Sequence, residues 1–374
     1  MSWVLAISGF AVLVMLHEAG HFFAAKAVGM RVERFFLFFP PKVVSIKRGE
    51  TEYGIGAIPL GGFVKITGMN PEEEIPEEVA DRAYYRQAAW KRIFVIAAGP
   101  FVNIVLALVI FFFIATGFGL NTGYTNTIDS IDDDLPAAGV LQEGDEIVGV
   151  DGKDLTGLGG IELAETVRKQ VATHECAGEP RDGCVAKTPV VIDVVRDGEP
   201  VTVRVRPEYE VPPAYEQERG VEPRLLVGFA YEPVVEPVSF SEGVDYALDS
   251  AWQVTSGTAE VFARILEAEQ REQITSVVGA TEVTRQSFES ETRRAFLLLG
   301  VISLSLGLIN LLPFLPLDGG HIFWTLVEKV RGRRVALQTM ERASFVGFAL
   351  VLALFFIGLN NDISRITGEG FDVR

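Results

Sequence analysis

The sequence predicts an α-helical polytopic membrane protein of about four transmembrane helices, with one β-rich domain outside the bilayer. Three observations carry that expectation. Of the 374 residues, 48% are hydrophobic. The apolar residues gather in four blocks, roughly Ser2–Ala25, Ile93–Phe118, Ala295–Leu317 and Ala343–Leu359, each close to the ~20 residues a helix needs to cross a bilayer. A polar, acidic stretch separates the second block from the third.

The first block reads as a retained helix rather than a secretory signal peptide. No Lys or Arg precedes it, and no small-residue cleavage site ends it. Orientation follows from basic flanks. Lys26, Arg31 and Arg34 follow the first block, Lys91 and Arg92 precede the second, and Arg331, Arg333, Arg334 and Arg342 separate the last two. These segments are expected to face the cytoplasm, which puts both termini and the central region on the other side. Arg293 and Arg294 alone oppose that assignment.

Charge is as uneven as hydropathy. The chain carries −17, and residues 121–294 hold 15 Lys and Arg against 34 Asp and Glu, a net of −19. An acidic outer surface repels nucleic acid and excludes that class of partner. The two cysteines, Cys176 and Cys184, flank the turn formers Gly178, Pro180 and Gly183. In an oxidising compartment this spacing can close a small loop, so a disulfide is expected over two unpaired thiols.

Between the first two blocks, Arg34–Pro41 is apolar but too short and too interrupted by proline to span. Val43–Lys47 and Thr51–Ile58 read as strands around Arg48-Gly49-Glu50. Non-helical backbone at membrane depth needs protein or a wet cavity to satisfy it. The hairpin is therefore either dipped beside a buried site or laid on the surface as a loop. Residues 121–210 read as a compact β-rich domain, with a helix over Ile161–Val171 and a hairpin around Asp197-Gly198. Residues 207–237 read as a linker or terminal strand, and Phe240–Glu269 as an amphipathic helix.

Chemistry is concentrated at two block ends. The first block ends in Leu16-His17-Glu18-Ala19-Gly20-His21. On a helix, His17 and His21 lie one turn apart on one face, so both imidazoles reach one ion. Zinc takes neutral imidazole nitrogen, and Glu18 stands beside it as the candidate general base. Polar groups of this kind are costly in a membrane span and are functional by default. The third block ends in Asn310-Leu-Leu-Pro313-Phe-Leu-Pro316-Leu-Asp318-Gly-Gly-His321. Asp318 is the preferred third ligand, with His321 as its rival. Both blocks run in the same direction, so Asp318 arrives at the depth of the histidines.

These residues resemble the bacterial site-2 proteases. The likeness rests on His-Glu-Ala-Gly-His in the first span and Leu317-Asp318-Gly319 at the third. Gly99-Pro100-Phe-Val-Asn103 in the second span adds to it, as do Thr51–Lys65 and Leu135–Val148, and it covers almost the whole chain in order. The resemblance implies a membrane re-entrant β-hairpin over the Thr51–Lys65 region and a PDZ-like fold for residues 121–210. Many relatives carry two PDZ domains where only one fits here.

The resemblance divides the chain into residues 1–120, the first half of a membrane protease core, the PDZ-like domain 121–210, a linker and membrane-proximal segment 211–294, and the second half 295–374. It implies one Zn2+ per chain held by His17, His21 and Asp318, with Glu18 as base. It implies substrate contacts from Asn310, Pro313, Asn103, Gly54 and Gly56. The implied activity is hydrolysis of peptide bonds within transmembrane segments of single-pass proteins. Such substrates are anti-sigma-factor-like proteins or remnant signal peptides, cut after ectodomain trimming in regulated intramembrane proteolysis. The setting is a bacterial plasma membrane, with the zinc near its cytoplasmic side. The alternatives are a metal transporter using the same ligands, although the sequence has no internal repeat, and a PDZ scaffold without catalysis.

Overall fold

A computed structural model describes residues 1–70, 73–212, 222–265, 267, 271 and 274–368. Parts of the expected linker (213–221) and of the expected amphipathic helix (266, 268 and 269) lie outside the described residues. The chain divides into two compact units, Met1–Gly117 with Ser239–Arg374, and Phe118–Val238. In chain order the main elements are α1 (Ser2–Ala27), β1 (Val32–Arg48), β2 (Thr51–Ile66), α2 (Ala89–Phe113), β3 (Leu120–Ile131), β4 (Glu146–Val150), α3 (Gly160–Val171), β5 (Val190–Arg196), β6 (Glu199–Val205) and β7 (Phe229–Glu236). Five helices follow: α4 (Phe240–Ala263), α5 (Val277–Ser290), α6 (Thr292–Asn310), α7 (Asp318–Arg331) and α8 (Leu337–Thr367).

Helices α1, α2, α6 and α8 are long and apolar enough to cross a membrane. Their apolar side chains are not all turned inward. Helix α8 leaves Phe345, Val346, Phe348, Leu350 and Phe356 exposed, a surface suited to lipid rather than to water. Helices α1 and α2 run antiparallel. Near one end Lys91 Nζ donates to the Val28 carbonyl at 3.2 Å. Further along, a Cβ on Gly20 would stand 2.6 Å from the Ala98 carbonyl oxygen. Backbone meets backbone there, the close approach that small residues permit between membrane helices.

The third apolar block does not run unbroken to Leu317. Helix α6 stops at Asn310, because Pro313 cannot donate to the helical ladder and disfavours helical backbone before it. A separate helix, α7, begins at Asp318. The turn between them is tight enough to need two glycines. A Cβ on Gly319 would collide with the Leu311 and Leu312 carbonyls, and one on Gly320 would lie 2.5 Å from the Leu315 nitrogen.

β1 and β2 extend beyond the expected hairpin into a sheet of four segments. Residues 44–48 pair with 51–55 around Gly49, whose φ of +63° suits glycine. Residues 34–37 pair on one side with 52–55, their numbers rising together, and on the other with 62–65, their numbers opposed. The apolar stretch after Arg34 is thus an inner strand, and 62–66 forms an outer edge.

Helix α4 starts with a capping box in which Ser239 and Glu242 satisfy each other's backbone N–H. Its Gly243 packs on Phe112 of α2 and on Thr116 just beyond it. Helix α5 falls in a region where the sequence reading placed no helix. The fully buried Asp362 of α8 accepts from the backbone nitrogens of Ser276 and Gly279 at 2.9 Å each. A carboxylate at a helix N-terminus satisfies orphan donors and complements the helix dipole.

In the second unit six strands form an antiparallel sheet, five in the order β7-β3-β4-β5-β6 and the short Lys153–Asp154 paired with β4. Helix α3 buries Leu163, Val167 and Val171, one apolar stripe, in a core with Ile147, Val150, Val190, Ile192 and Val194. The β5–β6 turn is Asp197-Gly198, both at positive φ (+52° and +84°), which fits the twist of the flanking strands. Residues 229–236, in the region read as linker or terminal strand, pair with β3 and bring the end of the unit back to its beginning. Cys176 and Cys184 are joined by a disulfide, with Cα atoms 5.9 Å apart.

Asp145 is 1% exposed and receives Arg196 Nε and Nη2 at 2.7 Å each. This pairing holds its carboxyl below the usual carboxylate range. Asp145→Ala should expose β4 and β5 in the full-length chain to faster hydrogen exchange, with a loss of roughly 1.5–3 kcal/mol for a charge-assisted bond. The sign with pH follows from the depressed value. The contribution is fully present above about pH 3.9 and is lost as pH falls through the lower folded-state value.

Candidate active site

Two helices and one turn build the site. His17 and His21 stand one turn apart on α1, each 7% exposed. Their Nε2 atoms are 3.3 Å apart. Asp318, the first residue of α7, places Oδ2 at 3.2 Å from His17 Nε2 and 3.3 Å from His21 Nε2. The three ligand atoms form the one metal-competent group of three among the described residues.

Their spacing can be tested against a metal. Tetrahedral zinc with bonds of about 2.05 Å separates its ligand atoms by roughly 3.3 Å. All three separations meet that value, and two imidazole nitrogens with one carboxylate oxygen leave a fourth position open, as catalytic zinc requires. Asp318 Oδ2 is buried and has no hydrogen-bond donor among the described residues. An acceptor oxygen left bare between two imidazoles is what a cation would satisfy.

Around the ligands, α2 contributes more than apolar contact. His21 Nδ1 lies 2.9 Å from the Val95 carbonyl. That bond assigns the ring proton to Nδ1 and leaves Nε2 unprotonated toward the ligand group. Gly99 faces the same ring so closely that any side chain there would overlap it. Neither Val95 nor Gly99 stood out as a ligand support in the sequence, the first because it acts through a backbone atom.

Glu18 follows His17 directly and is touched by the edge segment of β2. Gly62 packs against its Cγ, where a Cβ would overlap, and the Val64 backbone lies close to its carboxylate. Gly54 and Gly56 are elsewhere. Gly54 packs on Val44, Ser45 and Phe36, and Gly56 on the Phe38 and Phe39 carbonyls, all inside the sheet. The glycine that meets the candidate base is therefore Gly62. Its signal in the sequence is the Gly61-Gly62 pair.

Other singled-out residues take varied places. Asn103 is fully buried in α2 and its carbonyl accepts from Ser303 Oγ at 2.9 Å. Asn310 ends α6 with its amide turned back on the Leu306 carbonyl at 3.0 Å, and Pro313 is exposed in the following turn. His321 lies outside the ligand group. It lines a cavity of about 640 Å³ with Tyr84, Arg92, Trp324 and Glu328.

Comparison with known proteins extends this geometry. Residues 5–354 match Peptidase family M50. The chain is 32% identical over 384 aligned residues to zinc metalloprotease Rip1 of Mycobacterium tuberculosis, covering 96% of this chain and 94% of that protein. The protein of the same name from Mycolicibacterium smegmatis is 31% identical, covering 93% of this chain and 91% of the relative. A match of this length, together with a donor set spaced for zinc, settles the identification: the chain belongs to peptidase family M50 and is a zinc metalloendopeptidase of the membrane.

Proposed function

We propose that this peptidase cuts bonds within the transmembrane segments of single-pass membrane proteins, with His17, His21 and Asp318 holding one zinc ion. One observation carries the reading. Two of the three ligands belong to a helix long and apolar enough to cross a membrane, so the bond to be cut must come to that helix. Anti-sigma-factor-like proteins and remnant signal peptides, trimmed beforehand outside the membrane, are substrates of the right architecture. The basic flanks support an arrangement in a bacterial plasma membrane with both termini and Phe118–Val238 extracytoplasmic, and the ligands toward the cytoplasmic side.

The β1–β2 sheet is the substrate platform in this reading. Its edge segment 62–66 touches Glu18, which supports a re-entrant position beside the site. A peptide bond inside a helix is shielded by its own hydrogen bonds. A segment drawn out as a strand beside such an edge presents its carbonyl carbon. Asn310 and Pro313, at the turn before Asp318, are read as bordering that segment. The second unit, with its six-stranded sheet and α3, is read as PDZ-like and as the part that senses what the substrate carries outside.

When bound, zinc supplies Lewis-acid polarisation of the scissile carbonyl and of the attacking water. The chain does the rest. His21 keeps Nε2 unprotonated through its bond to Val95. Glu18 accepts a proton from the water on its carboxylate and delivers it to the leaving amine nitrogen. Gly62 and the Val64 backbone fix where that carboxylate sits.

Glu18→Gln should retain about one zinc per chain and lower cleavage of a model transmembrane substrate roughly 10²–10⁴-fold. Near-native cleavage by that variant would remove Glu18 as base. Asp318→Asn should lower zinc content together with activity, whereas His321→Ala should leave zinc content unchanged. Metal analysis giving the opposite pattern would make His321 the third ligand. Gly62→Val should keep zinc and lower kcat by displacing the Glu18 carboxylate, and a native kcat would separate the sheet edge from the base.

A further inference from the structure

The two zinc-competent histidines differ in what stands behind them. His21 gives Nδ1–H to the Val95 carbonyl at 2.9 Å. His17 Nδ1 is buried with no partner among the described residues. Both side-chain amide atoms of Asn103 share that condition, in a residue with no exposure at all. Buried polar groups are hydrogen-bonded as a rule, and most strictly so in membrane helices, where water cannot serve.

Helix register sets the orphans at neighbouring levels of the two helices, without a hydrogen bond between them in the structure. Lys91 meets Val28, Val95 meets His21, and Ala98 meets Gly20. Residue numbers on α2 therefore rise as those on α1 fall. One further turn sets Asn103 at the level of His17. The faces agree as well. Gly99 faces the His21 ring, Asn103 is one turn beyond Gly99, and His17 is one turn before His21.

We propose that Asn103 is a positioning residue for the metal site, its amide oxygen accepting Nδ1–H of His17 when Nε2 holds zinc. It does for His17 what the Val95 carbonyl does for His21. The inference rests on His17 being a ligand, and adds the group that fixes its tautomer and ring plane. Metal-ligating histidines nearly always give their other N–H to such an acceptor. The Ser303 bond to the Asn103 carbonyl and the contact of Gly307 with Asn103 Cβ hold this residue from the α6 side.

The test uses full-length chain in bilayers or detergent. Asn103→Leu should weaken zinc binding, read by chelator competition, by about 10–100-fold. Asn103→Asp, which keeps an acceptor oxygen, should stay within a few-fold of native. Solid-state NMR of the native zinc-loaded chain with labelled histidine and asparagine should place His17 Nδ1 about 4 Å from Asn103 Cγ, the span of an N–H···O=C bond. Native zinc affinity in a folded Asn103→Leu chain overturns the proposal, and so does a distance beyond hydrogen-bond reach. If Asn103→Leu does not fold, the distance in the native chain decides alone. Native zinc affinity in His17→Ala would instead overturn the ligand assignment itself, so the two failures are distinguishable.

Discussion

The constraint on which the rest depends is the meeting of one carboxylate oxygen with two imidazole nitrogens, 3.2–3.3 Å away, inside an apolar setting. Such a trio is expensive without a cation and well matched to one. Several otherwise unrelated features serve it. Gly20 and Gly99 let α2 press its backbone against α1. Pro313 ends α6 early, so a second helix can begin at Asp318 instead of the first continuing past it. Gly319 and Gly320 fold that turn onto itself, and Gly347 of α8 leaves room for the Leu315 carbonyl in the same turn.

The proposed ligands and the proposed base are held by different kinds of structure. The ligands sit on helices, whose backbone is satisfied internally and can be rigid at membrane depth. Glu18 shares the helix of the histidines but is also touched by a sheet edge, through Gly62 and Val64. An edge strand has unpaired backbone groups by construction. Placing that edge one residue away from a ligand combines a fixed metal geometry with a backbone that can still take a partner.

Four apolar helices and the meeting of His17, His21 and Asp318 were legible because each depends on local sequence. Apolar run length reports a span, an i,i+4 pair reports one helix face, and Asp-Gly-Gly reports a turn. What was not legible depends on chain returning from far away. Segment 34–37 lies between 52–55 and 62–65, a register that no short window contains. Residues 229–236 pair with β3 about a hundred positions earlier. Helix α5 is weakly patterned, and its start is fixed by Asp362 from the other end of the unit. The support of His21 comes from the Val95 carbonyl, an atom every residue has. Gly54 and Gly56 were read as substrate contacts, and only the fold shows that they lie inside the sheet while Gly62 packs against Glu18.

The position of the histidines along α1 has an arithmetic of its own. With a rise of 1.5 Å per residue, about 22 Å of helix precedes His17 and about 9 Å follows His21. Under the proposed function, a cut at that level would divide a substrate span of about 20 residues into pieces of roughly 14 and 6. Neither piece can cross the bilayer. The longer keeps enough apolar length to stay in the lipid, and the shorter does not. Under the proposed function, the depth of two side chains would thus set which fragment of the substrate leaves the lipid.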